Sequence, residues 1–255
     1  MRISIFTLFL YLLFSSISIA APLSIYVVSD DEFPPFSFVE NGKVTGIDVD
    51  IIKEMGRRNN IDIKIDLFPW KRLIMMTKTG RCDASMSLFH SPEREKFALF
   101  THAVHYSTFV IFVKKGKQFN YSSIDDLYGK KLAKQSGFII SDDFDMAVKS
   151  KKLEIFDIFK TRGGMKFTIL GISNGFVANK HVTLYKLKNN LEFSNFKDRF
   201  VILPKPVKQK RASFFVLSKR SKINNKIQLQ EQIIKTLKTM EEEGFYKKVN
   251  NKYLD

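Results

Sequence analysis

Two hydrophobic periods follow one another along this chain, and their alternation limits the fold more than any other feature. Ile61, Ile63, Ile65 and Leu67 alternate with charged residues, the two-residue period of a half-buried strand. Trp70, Leu73, Ile74 and Thr77 then recur at helical spacing, and Gly80 is placed to end that helix. Elsewhere the same switch recurs. Residues 24–28 are β-prone, and Asp48 is placed to cap a helix whose inward face is Val49, Ile52 and Met55. Residues 82–88 read as a strand, Ser91-Pro92-Glu93 as a helix start and residues 108–113 as a strand. Strands alternating with helices predict an α/β architecture.

A second run begins at Ser123, which with Asp126 forms a capped helical turn before another strand. Residues 139–164 give no clear pattern, and residues 167–170 and 175–177 are apolar segments around a turn. A strand at 201–203 is followed by Pro204-Lys205-Pro206, a linker signal, and then by a strand at 212–217. Ile233, Ile234, Leu237 and Met240 mark an amphipathic helix that Gly244 closes.

Ahead of all this lies an address. Arg2, an apolar run to about residue 14 and the small residues Ser18 and Ala20 form a secretory signal peptide over residues 1–20, with cleavage after Ala20. The apolar core is shorter than the roughly 20 residues that span a bilayer. The protein is therefore expected in the periplasm. The single cysteine, Cys82, cannot form an internal disulfide, so the fold must be held by its core, with Cys82 packed as a small apolar side chain.

The formal charge of +16 would suggest nucleic acid in a cytosolic protein. Export argues against that, and the Lys and Arg residues are scattered without zinc-finger spacing or a basic-aromatic ladder, so no nucleic-acid partner is expected. His102 and His105 have no third ligand at useful spacing, so no metal is expected. No cofactor motif, Ser-His-Asp order or pair of catalytic carboxylates can be read, and no catalytic residue is assigned.

The stretch Asp30-Asp31-Glu32-Phe33-Pro34-Pro35-Phe36, at the end of the first strand, has too many acids and aromatics for a plain loop. It opens a series that resembles the bacterial extracellular solute-binding proteins of family 3, the amino-acid-type binding proteins of ABC importers. The series is FPPFSFVENGKVTGIDVDIIKEM, GRCDASMSLFHSPEREKFALFT, SSIDDLYGKKL and MEEEGFYKKVNNKY, in that order, and it covers nearly all of the mature chain. The resemblance implies the two-lobe periplasmic-binding-protein fold of type II. Lobe one would comprise residues 21–109 and 210–255 and lobe two residues 110–209, joined by strands crossing near 108–112 and 207–212, with a solute held between the lobes.

The resemblance also implies a site. Phe33 matches the aromatic that stacks on the ligand, Trp70 a second aromatic wall, and Arg94 the guanidinium that holds a ligand carboxylate, a role its planar fork suits. Asp30 or Glu32 could accept a donor from the ligand or the facing lobe, whereas Phe36 is expected to plug the core. Arg72 is a second candidate anion contact, and Ser87 keeps a family hydroxyl. The departures are informative. Phe89 replaces a hydroxyl that helps hold the carboxylate, Phe138 and Ile139 stand where lobe two offers Ser and Thr, and Asn179 replaces the acid that pairs with an α-ammonium. The ligand site is thus expected to comprise Asp30, Phe33, Trp70, Arg72, Ser87, Phe89, Arg94, Phe138 and Asn179, with a preference for a small anionic solute. The expected partner is the membrane permease of an ABC importer, and the expected state is a monomer. The alternatives are a sensory module that signals to a membrane partner, or an enzyme resembling cyclohexadienyl dehydratase, which would need Asp30 or Glu32 aimed into the cleft.

Overall fold

A computed structural model describes residues 22–254, so the signal-peptide reading of residues 1–20 lies outside the described residues. The chain begins with β1 (Leu23–Asp30), a short hairpin of β2 (Phe38–Glu40) and β3 (Lys43–Thr45), and α1 (Ile47–Arg58). β4 (Ile61–Phe68), α2 (Trp70–Thr79), β5 (Ala84–Phe89) and the short α3 (Pro92–Glu95) follow. β6 (Ala98–Lys114) is 17 residues long. A 3₁₀ turn at Ile124–Leu127 leads to β7 (Lys131–Gln135), α4 (Asp142–Lys149), β8 (Glu154–Ile158), α5 (Thr161–Ile169), β9 (Gly175–Asn179) and α6 (Lys180–Asn189). After a second 3₁₀ segment at Leu191–Phe196 come β10 (Phe200–Ile202), β11 (Lys208–Ser218), α7 (Lys226–Glu242) and α8 (Phe245–Leu254).

The strand order is β4-β1-β5-β11-β6-β9-β7-β8, with β10 paired to β6. β1 pairs parallel with β4 and β5, and β7 pairs parallel with β8 and β9. Between these two parallel groups lie β6 and β11, antiparallel to each other from Lys208↔Phe109 to Ser218↔Ala98. They are the two strands that run between the halves.

Period-two side-chain alternation places apolar residues on both faces of each half. In the first half Ile25 and Val27 enter a core shared with α1, α7 and α8, while Val28 joins Trp70, Leu73, Cys82 and Val216 on the other face. In the second half Phe109, Ile111 and Val113 of β6 pack with Leu132 and Phe144, while Val110 and Phe112 pack with Met165, Phe176 and Phe193. One strand therefore supplies both cores of that half. Cys82 is buried, and burial pushes its thiol up to about 11.

The helix caps follow the sequence in most places. Gly80 ends α2 with φ 75°, and the Ser91 hydroxyl accepts from Arg94 N. The Ser123–Asp126 capping box is present. The start of α1 differs from expectation. Its cap is Gly46, and Asp48 lies in the first turn, fully buried. Gly46 has φ 130°, and a Cβ there would lie 2.4 Å from Phe36 O, so the loop and the helix can meet only at glycine. That contact turns Asp48 inwards, away from the capping role. Residues 139–164 resolve into α4, β8 and the start of α5, and residues 167–170 are the end of α5. The Gly163-Gly164 pair hid that helix from its pattern because glycine is a poor helix former. Gly164 is nevertheless in place, with Phe176 and Ile158 pressed against it.

Candidate functional site

The carboxyl end of β1 delivers Asp30, Asp31, Glu32 and Phe33 to the gap between the halves. Asp30 is 1% exposed, and its Oδ1 accepts the Glu32 N–H at 3.1 Å. Burial pushes its carboxyl up to about 7. Glu32 reaches across the gap. Its carboxylate accepts from Lys186 of α6 and lies 3.2 Å from Lys160 Nζ. Burial works to raise the Glu32 carboxyl, but the two ammonium groups outweigh it and hold the group below its usual range. Phe33 packs on Phe36, with ring centroids 5.1 Å apart. Both rings belong to the first-half core, and Phe33 also borders the gap.

Behind this loop runs a buried polar chain. Ser87, held at φ 64°, donates to Asp48 Oδ2 at 2.8 Å. Asp48 Oδ1 lies 2.7 Å from His105 Nδ1, and His105 Nε2 lies 3.1 Å from Ser107 Oγ. Asn179 Nδ2 donates to Ser107 Oγ at 2.7 Å, and Asn179 Oδ1 accepts from Val182 N. The hydrogen-bond inventory assigns the roles. Nδ1–H donates to the carboxylate, Ser107 O–H donates to Nε2, and the Ser107 oxygen accepts from Asn179. Phe36 stacks on the imidazole at 3.8 Å. The Asp48–His105–Ser107 order has the connectivity of a nucleophilic triad. Ser107, however, is fully buried and its oxygen is already engaged, so no solute atom reaches it. The Ser87 and Asn179 side chains serve this chain and the start of α6, and Asn179 also borders the cavity.

The third group surrounds Trp70. Arg94 is 5% exposed, donates to Phe89 O at 2.7 Å and lies 5.1 Å over the Trp70 ring. Trp70 meets Phe138 of the second half edge-on at 5.1 Å, and its Nε1–H donates to Gly137 O at 3.4 Å. Phe89 packs on Phe109 at 5.4 Å, and its other side carries the Arg211 guanidinium at 4.6 Å. Arg211 donates to the carbonyls of Ile139 and Ile140. Lys134, 8% exposed, donates to Phe138 O at 2.7 Å. Burial, with the Arg211 charge added, brings Arg94 down to about 10. Burial also lowers Arg211 and Lys134. Among the described residues, none of these three cations forms an ion pair.

The structure therefore brings together Phe33, Phe138 and Asn179 along one small cavity, and Trp70 and Arg94 along an adjoining groove of about 270 Å³. Asp30 and Phe89 lie directly behind these surfaces. Arg72 is not among them. It is exposed on α2 with its guanidinium 4.5 Å over the Phe68 ring, because at 3.6 residues per turn it lies about 200° around the helix from Trp70 and about 100° from Leu73, the inward-facing residues. Sequence reasoning missed Arg211, Lys134 and Thr183. The Thr183 hydroxyl borders the cavity, fully buried and with no hydrogen-bond partner among the described residues. Arg211 follows Lys208 and Lys210 in a basic stretch that reads as solvated surface, and only strand alternation across β11 could have singled it out. The cavity encloses about 20 Å³, a water-sized space. A larger solute requires the halves to part.

The profile of the family described as bacterial extracellular solute-binding proteins, family 3, matches residues 25–255. The "Probable amino-acid-binding protein YxeM" of Bacillus subtilis (strain 168) is 29% identical over 157 residues, which is 60% of this chain and 58% of that protein. The match thus spans little more than half the length of that relative. An ancestral arginine-binding protein bound to arginine superposes with a TM-score of 0.73 at 23% identity, covering 91% of this chain and 98% of its own. A histidine kinase sensor domain with similarity to periplasmic binding proteins gives 0.75 at 18% identity, covering 91% and 96%. These likenesses show the fold: two α/β lobes joined by two crossing strands. Among the described residues no helix is long and apolar enough to cross a membrane.

Proposed function

The chain belongs to the bacterial extracellular solute-binding proteins, family 3, and from that membership we propose that it captures a small carboxylate-bearing solute between its lobes and presents it to the permease of an ABC importer. Lobe one is residues 21–109 with 210–255, and lobe two is residues 110–209. Export to the periplasm through residues 1–20 is part of this reading. The observation that carries it is Arg94, a nearly fully buried guanidinium whose protein acceptor is a single carbonyl. A buried charge without a counterion is costly, and a ligand carboxylate relieves that cost.

The aromatic groups Phe33, Trp70 and Phe138 supply flat apolar walls. Recognition of an α-ammonium group calls for an acid facing it. Here Glu32 is engaged by Lys186 and Lys160, Asp30 is buried with its carboxyl pushed up to about 7, and the remaining position is the neutral Asn179. Common α-amino acids should therefore bind weakly and carboxylates with an apolar or aromatic body better. A thermal-shift screen of the twenty amino acids against organic acids tests this, since ligand at about 100 times its Kd adds about 2.7 kcal/mol of stability. If a standard amino acid gives that shift and Asn179→Asp leaves it unaltered, the carboxylate reading is wrong.

Small-angle scattering should show a smaller radius of gyration on ligand addition, because the ligand favours the closed form by its differential affinity. A sensory role is the second reading, favoured by the fold shared with a kinase sensor domain. Co-purification with a permease rather than a kinase separates the two. The acids that an enzyme would need, Asp30 and Glu32, are respectively buried and doubly paired.

A further inference from the structure

Three cations, Arg94 from α3, Arg211 from β11 and Lys134 from β7, gather around Phe89 and the loop at 135–140, beside the groove that Arg94 lines. Their protein acceptors there are backbone carbonyls, those of Phe89 and of the loop at 135–140. Arg94 and Arg211 flank one residue, Phe89, the first bonding its carbonyl and the second lying over its ring. No carboxylate of the described residues pairs with either guanidinium. Asp145 is the nearest acid to act on Arg211, and its Oδ2 instead accepts the Ile140 N–H at 2.9 Å. Among the described residues most N–H donors of both guanidinium groups have no partner, although each fork is built to grip two oxygens at once.

Two like charges that flank one residue, Arg94 buried and Arg211 half-buried, repel, and a carbonyl dipole offsets a full charge only in part. Burial and mutual repulsion lower Arg94 for this reason. One carboxylate would neutralise one of the two guanidinium groups. We propose that the solute carries two acid groups, one held by Arg94 and the other by Arg211, and that the carbonyls of Ile139 and Ile140 occupy the Arg211 donors until the second acid group displaces them. Gly137, at φ 78° and in contact with the Trp70 indole, gives the 135–140 loop the backbone freedom to withdraw. Lys134, bonded to Phe138 O, adds a third positive charge beneath the same loop. This arrangement repels a cationic side chain, so a solute resembling arginine is excluded by the feature that admits a diacid. The inference rests on the carboxylate reading of Arg94.

Matched probes isolate the second acid group. Phenylsuccinate is 3-phenylpropionate with one more carboxylate, and succinate bears the same relation to propionate. Calorimetry should show each diacid binding the wild-type protein more tightly than its monoacid by about tenfold or more. Arg211→Gln should bring the diacids down close to the monoacid level while moving the monoacids far less, whereas Arg94→Gln should weaken all four. Melting curves without ligand report whether each variant is folded, and Arg211→Lys, which keeps the charge but loses the fork, should fall between wild type and Arg211→Gln. Equal binding of diacid and monoacid, with no effect of Arg211→Gln, overturns the second acid group and leaves the Arg94 reading standing. Failure of all four acids to bind, with or without binding of an α-amino acid, overturns both.

Discussion

Asp48 and Arg94 are both charged, both almost fully buried and both carried by helices of the first lobe, yet the protein surrounds them differently. Asp48 accepts from Ser87 and His105, and the chain beyond His105 ends on Asn179 and the start of α6. Arg94 meets one carbonyl and the face of Trp70. The first charge is completed from within and ties the crossing strand β6 to both lobes. The second is left incomplete and faces the cleft. A buried charge with all its partners supplied by the fold serves the fold, whereas one without a counterion points to a ligand.

The sharpest way to break this contrast is at Asp48. Asp48→Ala leaves His105 without its carboxylate and Ser87 without its acceptor, deep in the core. Removing one member of a buried pair costs about 3–5 kcal/mol, so urea denaturation should show a loss of that order. Arg94→Gln should move stability by about 1 kcal/mol or less, or raise it, because it removes an uncompensated charge. The same change should weaken binding of a ligand such as 3-phenylpropionate by about 2–5 kcal/mol. If Arg94→Gln is the more destabilising of the two and leaves binding intact, the roles assigned to the two charges are reversed.

These two residues also show what was legible in the sequence. Arg94 stands in a motif, Ser91-Pro92-Glu93-Arg94, whose helix-start chemistry fixes its position locally. Its carboxylate role came from the resemblance, not from that helix-start chemistry. Asp48 looked like a helix cap because Asp favours that position. Its real partners, His105 and Ser87, are brought to it only by the pairing of β5, β11 and β6, which no local pattern encodes. Most of the strands and the helices α1, α2, α3 and α7 were legible through their periods and end signals, whereas α4, β8 and α5 were not. The helix α6 was not, because Thr183 and Lys186 are buried polar residues on its inward face and break the apolar stripe. Arg211 was missed for a related reason: its neighbours Lys208 and Lys210 are exposed, and a basic run reads as surface.

Asp30 offers a smaller effect with a sign that can be checked. Burial pushes its carboxyl from 3.8 to about 7, so the folded protein holds a proton there that the unfolded chain releases near its ordinary value. Between about pH 4 and pH 7 the native state therefore binds more protons than the unfolded state, and this residue makes stability fall as pH rises through that window, levelling above it. Asp30→Asn keeps an oxygen acceptor for the Glu32 N–H and removes the ionisation. Relative to wild type, the variant should gain stability as pH is raised from 4 to about 7, measured by urea denaturation across that range. A constant difference would show that Asp30 is ionised in the fold and that the cleft end of β1 carries a fixed negative charge after all.

The smallest effect is expected at Arg72, which serves as the exposed counterpart of Arg94. Both arginines lie over aromatic rings at similar distances, 4.5 Å to Phe68 and 5.1 Å to Trp70. Arg72 stands in solvent, where water already stabilises its charge and where a cation over a ring contributes about 0.5–1 kcal/mol. Arg94 is shielded from water, so the same contact cannot complete its solvation. Arg72→Ala should thus change stability by about 0.5 kcal/mol and leave the affinity for phenylsuccinate and 3-phenylpropionate unaltered, while Arg94→Ala weakens both. Salt should sharpen the difference, because exposed charges are screened over about 10 Å at 0.1 M ionic strength and buried ones much less. A loss of binding at Arg72→Ala that disappears at high salt would assign it a long-range steering role. A loss that persists at high salt would place it in the cleft of an open form and would mean that burial alone does not separate the two arginines.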